Sequence, residues 1–254
     1  MFGGLNRSVL LALAVLGACA IARPVAAADS KSEAKREIAA LEDFSTLDPI
    51  HFPLGTSPTN AKFQLSFKYR LIGSDSRDDA SARKWHERFF FAFTQTSFWD
   101  LASESNPFRD SSFKPALMYQ LDAPERSWFP GNNKSYVRVA FQHESSGKDR
   151  ENSRGLNIVY LEPRFDKDLA GGWDLSVRPR VWAYVFDGNQ KDDFRKYRGN
   201  TGLAIGLEKE NGIGLVANGV MNPNAGKGNL NLDLSYALAA VDFQPYLNAQ
   251  LFTG

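Results

Sequence analysis

The chain has 254 residues, with 30 Lys and Arg against 29 Asp and Glu and a formal net charge of +1. That balance argues against a nucleic-acid partner held by phosphate neutralisation. Beyond the first stretch no run approaches the roughly 18 apolar residues of a spanning helix, so a membrane form would have to be a β-barrel, whose average composition is hydrophilic.

The chain opens on a targeting pattern. Arg7 gives a short basic region, residues 9–22 are apolar, and Ala26-Ala27-Ala28 forms a small-residue cleavage site before Asp29. Residues 1–28 are therefore expected to be a secretory signal peptide. Its Cys19 is the chain's one cysteine, so the exported part is expected to hold no disulfide and no thiolate metal site. Residues 29–61 are polar and then rich in Pro and Ser, and read as a periplasmic lead-in, with a short helix and one irregular strand.

From residue 62 the pattern turns to alternation. Phe63, Leu65, Phe67, Tyr69 and Leu71 share one face of a strand, against Lys62, Gln64, Ser66, Lys68 and Arg70 on the other. The split returns in 136–145, in 173–185, in Leu203/Ile205/Leu207, in Leu215/Ala217, in Leu230/Leu232/Leu234/Tyr236 and in Leu247/Leu251. About ten strands of roughly ten residues follow, separated by turns such as 222–228. Period-two alternation makes one face apolar and one polar. A soluble sandwich alternates too. The polar face here carries Lys68, Arg70, Arg178, Arg180, Glu208, Asp233 and Asn248, as a hydrated lumen would, and aromatic residues gather near strand ends (Trp99, Trp128, Trp173, Tyr246). The expectation is an all-β, antiparallel transmembrane barrel over 62–254.

In the strand from Tyr136, the apolar side runs Val137, Val139, Phe141 and on into His143 and Ser145. Residues two apart leave a strand on one side, so both face lipid. After a polar connection the next strand sets Asn157 on the same side as Val159 and Leu161. Ser145 can attack an ester carbonyl, His143 can take and return its proton, and Asn157 can fix the imidazole tautomer. A neutral amide does this near hydrocarbon without a buried charge. Taken alone, His-x-Ser at a strand end more often just meets headgroups.

The motif does not stand alone. His143-Glu144-Ser145-Ser146-Gly147-Lys148, five residues, Ser153-Arg154, two residues and Asn157 resemble the active-site signature of the outer membrane phospholipase A family. Lys62-Phe63-Gln64-Leu65-Ser66 and Thr94-Gln95 with Ser97, Trp99 and Pro107-Phe108-Arg109 match it as well. The resemblance implies a twelve-stranded outer-membrane barrel, with about ten to eleven strands present here, that hydrolyses phospholipid acyl esters as a calcium-bound homodimer. It implies the triad His143, Ser145 and Asn157, an oxyanion donor at the Gly147 N–H, and a Ca2+ held by Ser153, by the Lys148 carbonyl and by Ser105 of the partner subunit. An all-oxygen set suits a hard cation. It also places Gln95 at the dimer interface. The residues agree, since Gln95 shares a face with Phe91 and Phe93, where an amide in hydrocarbon seeks a partner. Ser146 and Leu156 depart from the family's asparagine and tryptophan. The family pattern runs on through a further strand, so the region 62–254 is expected to lack its last one. A lipid A deacylase-like esterase, a passive porin-like barrel and a soluble sandwich are the competing readings.

Overall fold

The computed structural model describes residues 43–56, 59–73, 83–123, 131, 132, 134–148, 155–186, 192–209, 212–238 and 246–254. The expected signal peptide lies outside them. The described fold is a single antiparallel sheet. Two short strands, β1 (Phe44–Ser45) and β2 (Leu54–Thr56), precede β3 (Thr59–Arg70), β4 (Phe89–Asp100), β5 (Phe108–Asp122), β6 (Tyr136–Ser145) and β7 (Gly155–Leu169). Then come β8 (Trp173–Tyr184), the short helix α1 (Asp192–Arg198), β9 (Thr201–Lys209), β10 (Ile213–Asn222), β11 (Lys227–Ala237) and β12 (Tyr246–Thr253). Each long strand pairs with the next in sequence from β3 to β12, while β1 and β2 both pair with β3.

Residues 43–56 thus form one irregular edge strand. It touches β3 at Phe44↔Tyr69, at the bridge His51↔Gln64 and at Leu54↔Ala61. Pro49 and Pro53 lie in the stretches between those contacts and deny it a full ladder. Prolines interrupt the central ladders as well. The β5–β6 register skips from Phe113↔Ser145 to Ala116↔Gln142 around Pro115, and the β7–β8 register skips from Leu161↔Val181 to Phe165↔Val177 around Pro163 and Pro179. The sheet curls enough for Lys62 Nζ on β3 to donate to Gln250 Oε1 on β12 at 2.8 Å.

Burial separates the two faces and decides between barrel and sandwich. Leu65, Phe91, Leu117, Val139, Phe141, Val159, Leu161, Leu203, Ile205, Leu215 and Leu234 are all exposed. Ser66, Thr94, Gln120, Arg138, Glu162 and Asp166 are buried. A water-soluble sandwich would bury the first set, whereas a barrel in lipid turns it outward. On the inner face one apolar row crosses five strands in register, Phe90↔Met118↔Ala140↔Tyr160↔Trp182. Next to it lies a charged row. Glu162, 1% exposed, accepts from Arg138 Nη1 at 3.0 Å, from Tyr136 Oη at 3.1 Å and from Arg180 Nε at 2.5 Å. Arg138 also donates to Gln120 Oε1 at 2.9 Å. A carboxylate shared by two guanidinium groups is the arrangement under which buried charge persists.

Among the described residues no helix is long and apolar enough to cross a membrane. The alternation expected from the sequence matches the strands closely, and the ten long strands, β3 to β12, agree with the expected number.

Candidate active site

The β6–β7 hairpin places the expected triad. Its register pairs His143 with Asn157, Glu144 with Leu156 and Ser145 with Gly155. His143 and Asn157 face each other on the outer side, and His143 Nδ1 lies 2.8 Å from Asn157 Oδ1. A carbonyl oxygen can only accept, so this contact calls for the Nδ1–H tautomer, with Nε2 as the basic nitrogen. The other end of the amide is fixed too. Asn157 Nδ2 donates to the Phe186 carbonyl at 3.4 Å, and Asn157's own carbonyl accepts from Val185 N at 2.9 Å. Donor and acceptor ends of the side chain each meet their complement, which sets its orientation.

Ser145 lies two residues beyond His143 on the same face, half-buried. Its neighbours across the sheet are Phe113 on β5 and Gly155 on β7. The glycine offers no side chain, which leaves that flank of the hydroxyl open. Just past the strand, Gly147 takes φ +65°, and a Cβ there would lie 2.8 Å from Phe113 Cε2. Both the left-handed backbone and the ring beside it demand glycine. The Gly147 N–H is thus carried by a fixed turn two residues from Ser145.

On the inner face Glu144 anchors the same peptide segment. It accepts from Ser112 Oγ at 2.7 Å and pairs with Arg198 of α1. Ser146 and Leu156, the two departures from the family pattern, are both buried, and Leu156 sits opposite inward-facing Glu144. Leu156 therefore lies on the inner face, behind the His143–Asn157 pair.

Of the expected calcium ligands, Ser153 lies outside the described residues. Lys148 follows Gly147 at the strand end, exposed, with Nζ donating to the Arg109 carbonyl at 3.4 Å. Ser105 sits in the turn between β4 and β5, which opens at the same end of the sheet as the β6–β7 connection. Asp100 braces that turn. Its carboxylate accepts from Ala102 N, Ser103 N and Ser103 Oγ, and from Arg109 Nε at 2.8 Å. Among the described residues no group of three or more His, Cys, Asp or Glu could hold a metal. The expected set of hydroxyl and carbonyl oxygens is of a different chemistry, one that a hard cation accepts.

Gln95 stands on the outer face between Leu65 and Phe113, so Phe113 separates it from Ser145 across the sheet. Its Nε2 donates to Ser97 Oγ at 3.3 Å, and Ser97 Oγ lies 2.9 Å from Ser111 Oγ. Gln95 is thus tied to a part-buried hydroxyl pair, Ser97 being 1% exposed. Sequence reasoning missed Phe113, Phe186 and the Glu144–Arg198 pair. Only register and loop geometry bring them to the triad.

Comparison with known proteins agrees with this geometry. Phospholipase A1 of Escherichia coli K12 is 31% identical over 183 residues, 70% of this chain and 57% of that protein. The putative phospholipase A1 of Neisseria meningitidis serogroup B is 32% identical over 148 residues, 54% of this chain and 35% of that one. The chain therefore spans a little over half the length of the Escherichia coli relative. Among solved structures, outer membrane phospholipase A from Escherichia coli superposes with a TM-score of 0.59 at 27% identity, over 77% of this chain and 70% of that one. The Salmonella typhi outer membrane phospholipase dimer with bound calcium gives 0.61 at 25%, with the same coverage. Residues 27–254 match the family described as phospholipase A1, and with an outward apolar face and a His143–Asn157 pair beside Ser145, this chain belongs to the phospholipase A1 family.

Proposed function

We propose that this protein hydrolyses acyl esters of phospholipids at the outer face of an outer-membrane barrel, in a calcium-dependent reaction and as a homodimer. The observation that carries the reading is the 2.8 Å contact between His143 Nδ1 and Asn157 Oδ1 on the apolar surface, with Ser145 on the same strand face. A lipid ester reaches such a site sideways, without leaving the bilayer.

His143 Nε2 takes the Ser145 hydroxyl proton as Oγ attacks the ester carbonyl. Asn157 holds the ring in the Nδ1–H tautomer and accepts from it as imidazolium forms. The Gly147 N–H donates to the oxygen that gains charge. His143 then returns the proton to the departing alcohol, and water attacks the acyl-serine by the same steps. Ca2+ would be held by Ser153, by the Lys148 carbonyl and by Ser105 of the partner subunit. When bound, it would supply further electrostatic stabilisation of that developing charge. Gln95 would meet the second copy. Residues 1–28 would direct export, and 29–61 would lead into the barrel.

The test is fatty-acid release from phospholipid micelles by refolded protein, with calcium, with a chelator, and with Ser145→Ala. Loss of activity in both the chelator and the variant supports triad and metal together. Activity that survives Ser145→Ala overturns the site. Silence of the parent protein under every condition moves the reading to a passive porin-like barrel.

A further inference from the structure

Phe186 occupies a conformation that a side chain seldom adopts. It follows β8 with φ +51°, and the residue is 82% exposed. Gly147 also takes a left-handed backbone, but glycine does so freely, whereas a bulky residue there is strained. Strain of this kind persists only where the surroundings fix it. Three contacts do so here. The preceding residue extends the β7–β8 ladder, since Val185 N donates to the Asn157 carbonyl at 2.9 Å. The Phe186 carbonyl accepts from Asn157 Nδ2 at 3.4 Å. The ring meets Phe141 edge-on at 6.3 Å on the lipid-facing surface.

Two of the three contacts reach Asn157, one at its main-chain carbonyl and one at its side-chain amide. An asparagine amide can flip, presenting either oxygen or NH2 to a neighbour. Only the oxygen supports His143 in the tautomer that leaves Nε2 basic. An acceptor on the far side of the amide excludes the flipped form, because oxygen would then face oxygen. An aspartate at this position would need no such guard, as both its oxygens accept. The neutral amide does, and the strained Phe186 peptide supplies it.

We propose that Phe186 is a positioning residue, whose left-handed backbone aims its carbonyl at Asn157 Nδ2 and so locks the amide oxygen toward His143. The ring's contact with Phe141 and its exposure to the apolar phase hold that backbone in place. The proposal rests on the triad reading above.

The test compares Phe186→Ile with Phe186→Gly. A β-branched residue strongly disfavours positive φ and swings the carbonyl away, while glycine adopts that backbone without strain. The position is exposed, so both variants retain the fold. On a short-chain ester, Phe186→Ile is expected to lose roughly tenfold in kcat with KM unchanged, as misalignment of an orienting group does. Phe186→Gly keeps the carbonyl and is expected to lose about threefold. Nitrogen-15 histidine NMR reads the cause directly. The chain has three histidines, and His143 is assigned by difference with a His143→Gln sample. The parent and Phe186→Gly should show the Nδ1–H tautomer, and Phe186→Ile a shift toward Nε2–H. Phe186→Ile with parental kcat and tautomer would overturn the proposal. So would equal losses in both variants with the tautomer unmoved, since these would assign the effect to the ring alone. The tautomer is measured without turnover, so failure of the phospholipase reading remains distinct from failure of this one.

Discussion

Gly147→Ala separates two demands that meet at one atom. A Cβ at Gly147 would lie 2.8 Å from Phe113 Cε2 and 3.3 Å from Cδ2, and the backbone would still need φ +65°. A left-handed conformation costs an L-residue about 1–2 kcal/mol. Relaxing either way turns the 147 peptide and carries its N–H off the line to the substrate oxygen. Removing one oxyanion donor costs about 10²- to 10³-fold in kcat. Gly147→Ala should therefore lose on the order of a hundredfold in kcat, with KM within about threefold, because the lost contact forms only in the transition state. Adding Phe113→Ala removes the ring and with it the steric share. The backbone share alone corresponds to roughly a fivefold to thirtyfold loss, so the double variant should recover to that level. Initial rates on a short-chain ester in calcium-containing detergent provide the assay, and circular dichroism verifies the sheet. A Gly147→Ala enzyme with parental kcat would refute the oxyanion assignment. A double variant no better than the single one would refute the clash.

Other expectations follow from the inner and outer faces. Glu162→Ala strands Arg138 and Arg180 without their shared carboxylate and should lower stability by about 3–5 kcal/mol, read as a fall in the urea midpoint; an unchanged midpoint would contradict the pairing. Gln95→Leu should weaken a calcium-dependent dimer by about 1 kcal/mol, seen as a lower crosslinked fraction in detergent, and an unaltered fraction would remove Gln95 from the interface. In the β5–β6 loop, the hydrogen bond to Asp174 raises the Lys134 ammonium above its usual range. Its small stabilising effect is therefore complete below the ordinary lysine pKa and disappears as pH rises through the raised value. Asp174→Asn should bring the Lys134 titration back toward normal by NMR, with little change in stability at neutral pH.

Much of the architecture could be read from alternation, because a strand exposed to lipid on one side and a polar lumen on the other repeats every two residues. Leu203, Ile205 and Leu207 announce their side with no knowledge of their neighbours. The His143–Asn157 pairing was legible for a second reason. His143 and Ser145 are two apart, and a hairpin can bring Asn157 opposite His143. The edge strand at 43–56 carried no such signal, since Pro49 and Pro53 break its pairing and its contacts with β3 are intermittent. Glu162 could not be matched to Arg138 and Arg180 from sequence, because register, not spacing, chooses partners across strands. Phe186 was invisible for a different reason. Positive φ is readable when glycine occupies it, and a phenylalanine gives no hint of it.

Along β6 the water-side and lipid-side residues alternate on one backbone, so the wall at the site is a single chain thick. Acyl chains on the outside are fluid and impose no fixed geometry. Glu144 on the inside is tethered to Ser112 and Arg198, and its peptide lies between those of His143 and Ser145. The candidate site on the outer face therefore borrows its rigidity from contacts made on the inner one. On the proposed function, substitutions on the inner face, far from any substrate atom, would become a dial on turnover, and drift among interior residues could retune the rate while the outer surface stays the same.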